Sequence, residues 1–183
     1  MAYITIPVKT TYLEITEDKI VPFEFKNKAS IERWIPENVD EYLSLYKQVG
    51  DDWGWTGRIL MPQDELKKWL FSENCVLYIL RVDNDHAGFI EFDLSQENKA
   101  EIVYFGLLDQ FIGRQLGLPF LSQSTEMMFT KLQIENVWLH TCEYDHPSAI
   151  RIYQKLGFYI TKETIDEEPY DDDFLKAFKE KYS

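Results

Sequence analysis

The sequence predicts an α+β domain built on a mixed, mostly antiparallel central sheet with helices on both faces. Three observations carry that expectation. Strand-length runs over 77–82, 87–94 and 101–108 follow one another across short polar turns at 83–86 and 95–99, which predicts an antiparallel meander. Beyond them the pattern alternates: a helix over 117–132, a strand over 136–142, a helix over 147–156 and a strand over 158–164. The length of 183 residues suits one core of ordinary size and requires no second fold.

The remaining elements follow from local pattern. Residues 4–15 and 20–25 carry β-branched and aromatic residues without helical spacing, so they read as extended segments that would add edge strands or wrap a partner subunit. Residues 1–30 are therefore expected as an N-terminal extended segment packing on or beside a single domain over 31–183, an arrangement that leaves room for a homodimer. The run 31–35, ended by Pro36, suits the first strand of the main sheet. Val39, Tyr42, Leu43, Leu45 and Tyr46 share one side of a helix that stops at Gly50. A Gly-punctuated loop with Trp53, Trp55 and Arg58 follows, then a helix over 63–71 opened by Pro62. In the later helix, Pro119 falls in the first turn, where a missing N–H costs nothing. A terminal helix is expected over 171–182.

Composition narrows the functional classes. A net charge of −13 repels phosphate backbones and anionic lipid headgroups, which disfavours nucleic-acid and membrane partners and favours cationic or neutral ligands. No apolar run approaches the roughly 20 residues that span a bilayer. The first residues show neither a secretory nor a transit pattern, so a cytoplasmic location is expected. Cys75 and Cys142 lie in strand-like apolar contexts without Cys-x-x-Cys spacing and read as free thiols. His140, Cys142 and His146 lack a fourth ligand, so no metal is expected.

Two stretches carry chemistry. Residues 111–117 (Phe-Ile-Gly-Arg-Gln-Leu-Gly) sit between a strand end and a helix start, where unpaired backbone N–H groups and the helix dipole favour a diphosphate. An ordinary strand-to-helix turn would also place two glycines here. The second stretch runs from Asp145-His146-Pro147 through Ala149 and Tyr153 to Gly157-Phe158. Its small residue and its hydroxyl lie four apart on one helix face, with the terminating glycine four further on. A half-buried tyrosine packing the helix on the sheet is the structural alternative.

In order and spacing over roughly residues 87–160, the two stretches together resemble the Gcn5-related N-acetyltransferase (GNAT) superfamily. The Ala-Glu-Ile-Val-Tyr-Phe-Gly-Leu run at 100–107 looks like the family's fourth strand, 111–117 like its pyrophosphate signature and 146–158 like its Asn-x-x-Ala-x-x-x-Tyr-x-x-x-Gly-Phe segment. The neighbouring runs at 50–55 and 140–147 are similar to a bacterial subgroup of that family. Ile112 stands where the signature has Gln or Arg, Gln115 where it has its central glycine, and His146 where the family has Asn.

The resemblance implies acetyl-CoA as cofactor and direct transfer of the acetyl group to a primary amine of a small molecule or protein. It assigns cofactor contacts to Phe105, Gly106, Leu107, Ile112, Gly113, Arg114, Gln115, Leu116, Gly117, His146 and Ala149. Tyr153 holds the family's general-acid position, and Glu101 matches the base position of its histone acetyltransferases. Trp53, Trp55 and Arg58 would line the acceptor side, where aromatic walls and surplus carboxylates suit a cationic amine. Because Gln115 and Ile112 depart from the signature, a non-catalytic acyl-CoA-binding sensor or interaction module on the same fold is the alternative function.

Overall fold

The computed structural model describes residues 3–26 and 28–182. Residues 1, 2, 27 and 183, which the expected spans 1–30 and 31–183 include, lie outside the described residues. The strands are β1 (Tyr3–Ile15), β2 (Ala29–Arg33), β3 (Cys75–Val82), β4 (Asp85–Asp93), β5 (Lys99–Leu107), β6 (Asn136–Cys142) and β7 (Tyr159–Asp171). The helices are α1 (Val39–Gly50), α2 (Gly57–Leu60), α3 (Gln63–Leu70), α4 (Gly117–Leu132), α5 (Ala149–Leu156) and α6 (Asp172–Tyr182). One seven-stranded sheet runs β2-β3-β4-β5-β6-β1-β7, antiparallel at every junction except β5 with β6.

Local chemistry explains the expected elements. Asp83 and Asn84 both take positive φ, 51° and 75°, the backbone of a tight hairpin turn between β3 and β4. The Asn38 side chain accepts a hydrogen bond from the Glu41 N–H at 2.9 Å and so caps α1. Helices α1 and α4 take opposite faces: Gly106 of β5 meets Val49 and Trp55 on one side, and Phe105 meets Phe120 on the other. Fully buried Tyr42, Tyr46, Phe89, Phe92 and Phe120 fill the core between these layers.

The first strand departs from expectation. β1 is not an edge strand; it lies inside the sheet, paired to β6 through Thr10–Ile15 and to β7 along its length. The burial of Val8, Thr10, Thr11, Leu13 and Ile15 explains why the chain spends an internal strand here. Pro7 falls in the half of β1 that pairs with β7 alone, so its missing N–H points to the unpaired side.

The next segment crosses α4 as an extended chain with no strand partner. Val21 donates its N–H to the Leu156 carbonyl at 2.8 Å, and Ser122 of α4 both accepts from the Phe23 N–H and donates to the Val21 carbonyl. Gly157 makes this crossing possible: its φ is +118°, and a Cβ there would stand 2.2 Å from the Lys19 carbonyl oxygen.

The parallel junction sets up the site. Pairing between β5 and β6 runs from Lys99 with Asn136 to Ile102 with Leu139 and then stops, so the two strands part from Val103 and His140 onward.

Candidate active site

A cavity of about 910 Å³ opens where β5 and β6 part. Its walls come chiefly from the free side of β5, the end of β6 and the loop after it, the segment crossing α4, the loop before α4 with the first turn of that helix, α5, the loop between α1 and α2, and the end of β7. It therefore passes through the sheet, with α4 and α5 on one side and the tryptophan loop on the other.

The loop expected to cradle an anion lies on the α4 side of the cavity. Gly113 has φ +79° with open space around it, Gln115 has φ +60°, and α4 begins at Gly117 with its first N–H groups unpaired by any side-chain cap. Phe105, Gly106, Leu107, Ile112, Gly113, Gln115, Leu116, Gly117, His146 and Ala149 all line the cavity. Arg114 does not; its guanidinium lies over the Phe111 ring, 4.9 Å from the centroid. Two cations that the motifs left unmarked also line the cavity. Lys26, carried by the segment crossing α4, donates to Gln115 Oε1 at 2.8 Å, and Lys155 comes from α5. No local pattern marks Lys26, because its role arises from a contact 89 residues away.

Tyr153 lines the cavity one turn beyond Ala149 and is 9 % exposed. No described residue hydrogen-bonds its hydroxyl. Burial, reinforced by the Asp145 carboxylate, pushes its pKa well above the usual phenol value, so the hydroxyl keeps its proton at neutral pH. His146 is used locally: its Nδ1 accepts from the Ser148 N–H at 3.0 Å, and its ring packs against Trp53 with centroids 4.8 Å apart.

The side expected to take the acceptor is roofed by the loop between α1 and α2. Trp53 and Trp55 line the cavity as expected, with Trp55 wedged against Tyr46, Tyr104 and Phe89. Phe174 of α6 stands where a Gly54 Cβ would fall, and the Thr56 hydroxyl donates to the Pro169 carbonyl at 2.8 Å, tying the loop to β7. Arg58 corrects the expectation for this group. It is buried away from the cavity, with Nη2 2.5 Å from Glu91 Oε1, because Glu91 is fully buried and needs a cation.

Glu101 is also displaced from the cavity wall. Its carboxylate Oε1 lies 3.2 Å from His140 Nδ1, and it is His140, the first residue of β6 past the parting of the strands, that faces the cavity. The adjacent Glu101 carboxylate raises the His140 pKa above its ordinary value against the opposing effect of burial, with Asp145 and Glu168 adding to the rise. Cys142 lines the same wall. Its Sγ is 3.1 Å from the Tyr170 hydroxyl, and burial lifts its pKa to about 11, so it rests as a thiol. Among the described residues no group of three or more His, Cys, Asp or Glu side chains is arranged to hold a metal ion, and no helix is long and apolar enough to cross a membrane.

Comparison with known proteins gives the same frame. No curated protein matches the sequence. The fold is similar to a GCN5-related N-acetyltransferase from Kribbella flavida, at 15% identity and a TM-score of 0.62, over 93% of this chain and 60% of that one. It is similar to a GCN5-related N-acetyltransferase from Sphaerobacter thermophilus, at 14% identity and a TM-score of 0.66, over 89% of this chain and 53% of that one. An aminoglycoside acetyltransferase from an uncultured soil metagenomic sample, in complex with trehalose, matches at 17% identity and a TM-score of 0.57 over 73% of this chain and 90% of its own. The chain thus spans only about half to three fifths of the first two relatives. The model of the acetyltransferase (GNAT) family matches residues 42–158, well over half of the 183-residue chain, and the protein belongs to that family.

Proposed function

We propose that the protein transfers the acetyl group of acetyl-CoA to a primary amine, without a covalent enzyme intermediate. The observation that carries this reading is the single cavity through the parted strands. It joins the amides and lysines at the start of α4 to the Tyr153 hydroxyl and then to the tryptophan-roofed opening. The residues present fit the cofactor. The unpaired N–H groups preceding and opening α4, together with Lys26 and Lys155, offer charge and donors to a diphosphate. The unpaired side of β5 from Val103 to Leu107 offers backbone groups to the pantetheine amides, as a neighbouring strand would.

Within that frame Tyr153 supplies the proton that the departing thiolate needs, a role its raised pKa suits because the phenol stays protonated until it is called on. Trp53 and Trp55 exclude water on the acceptor side, and the surrounding carboxylates favour a cationic amine. An aminoglycoside acetyltransferase stands among the similar structures, which is in keeping with an amine acceptor.

The test is calorimetry with acetyl-CoA followed by thiol release across a panel of primary amines. Saturable binding together with amine-dependent thiol release is expected. Binding without release from any amine would favour the sensor, and no binding at all would remove both readings.

A further inference from the structure

We propose that His140 is the base that takes the proton from the incoming ammonium, with Glu101 as its positioning residue. This deepens the acyltransferase reading and rests on it. The geometry comes first. His140 stands at the vertex where β5 and β6 part, on the wall of the cavity that also holds Tyr153. Its Nδ1 lies 3.2 Å from Glu101 Oε1, close enough for the carboxylate to favour the proton on that nitrogen and leave the lone pair on Nε2; no described residue hydrogen-bonds Nε2. The side chain of Glu101 is 17% exposed and that of His140 43%, so solvent and substrate meet the imidazole before the carboxylate.

The surroundings suit the task. The Tyr12 ring, 5.6 Å away, and the Trp138 ring, 6.4 Å away, flank His140 on β1 and β6. The charged groups acting on it are Glu101 from β5, Asp145 from the loop after β6 and Glu168 from β7. All three are carboxylates. They favour the imidazolium formed when the proton arrives, and they attract the ammonium that delivers it.

The step balances as follows. A proton passes from the ammonium nitrogen to His140 Nε2, and the freed lone pair forms the C–N bond at the thioester carbonyl carbon. The C–S bond breaks, the thiolate takes the Tyr153 phenol proton, and the second proton shed by nitrogen restores that phenol. The products are an amide, a free thiol and one proton that His140 releases to solvent.

The sign of the pH dependence follows. The base must be neutral, and its pKa is raised, so kcat/KM should climb with pH through a value above that of an ordinary imidazole. The experiment compares wild type, His140→Gln and Glu101→Gln, with acetyl-CoA and the best amine of the panel. It follows kcat/KM against pH, acetyl-CoA affinity, and the nuclear magnetic resonance titration of the His140 ring.

His140→Gln is expected to lose about 10²-fold in kcat/KM and the acid limb of the profile. Acetyl-CoA affinity should be unchanged, and free imidazole should restore part of the rate to His140→Ala. Glu101→Gln should keep the acid limb but move it, and the His140 titration, to lower pH. The proposal falls if His140→Gln keeps the wild-type limb, or if Glu101→Gln abolishes it while leaving the His140 titration in place. A wild type that neither binds acetyl-CoA nor releases thiol removes the acyltransferase reading itself, a different and separately visible failure.

Discussion

Glu91 and Glu101 sit on neighbouring strands of the sheet, and because Glu101 pairs with Asp93, two residues on from Glu91, they share one face. Each pairs with a basic side chain. Glu91 is fully buried and saturated: Arg58 Nη2 at 2.5 Å and Trp69 Nε1 at 2.7 Å reach one oxygen, and the Tyr42 hydroxyl at 2.5 Å reaches the other. Glu101 is only partly buried and pairs with a histidine that lines a cavity. A buried carboxylate with both oxygens engaged by fixed side chains is architecture; here it fastens α2 and α3 to β4 and so fixes the tryptophan loop. A carboxylate with one titratable partner at an opening is in a position to move protons.

Stability gives the largest expected difference between the two. Glu91→Ala strands a buried guanidinium and should cost roughly 3–5 kcal/mol, read as a lower denaturant midpoint. Glu101→Gln, at a half-exposed pair, should cost under about 1 kcal/mol. Equal losses would break the comparison. The double variant Glu91→Met with Arg58→Met sharpens it, because removing both charges together should recover much of the loss.

Next in size is Tyr153→Phe. Among the described residues the hydroxyl has no hydrogen-bond partner, so folding and acetyl-CoA affinity should stay near wild type while kcat falls about 10²-fold. An unchanged kcat would remove Tyr153 as the acid. Lys26→Ala is smaller: acetyl-CoA affinity should fall about tenfold, roughly 1.4 kcal/mol, and become less sensitive to salt. Affinity equal to wild type would place the diphosphate on the α4 amides and Lys155 alone.

What the sequence disclosed and what it withheld divide along contact range. Hairpins, helix caps and the Ala149–Tyr153 spacing are local, and the loop 111–117, α4 and β6 fall where periodicity places them. The place of β1 between β6 and β7 is not local, because alternation of apolar residues marks a strand and not its neighbours. The same limit hid Lys26, which reaches the phosphate loop only because its segment crosses α4. Arg58 was misjudged for a related reason: nothing near it in sequence shows that Glu91, on another element, is buried and needs it. His140 carried a local signal, a histidine on a strand beside the motif region. Its relation to Glu101, however, depends on the parallel register of β5 and β6.

Gln115 offers the smallest test and separates two properties that usually move together. A non-glycine residue at φ +60° bears left-handed strain of about 1–2 kcal/mol, offset in part by the Lys26 hydrogen bond and by the extra freedom a glycine would have when unfolded. Gln115→Gly should therefore raise stability by a few tenths to about 1 kcal/mol, seen as a higher melting temperature. If Gln115 stands in the loop to hold Lys26 toward the diphosphate, the same variant should bind acetyl-CoA more weakly, by less than the loss in Lys26→Ala. Tighter binding in the stabilised variant would mean instead that the side chain merely crowds the cradle, and Lys26 would then reach the phosphates without its help.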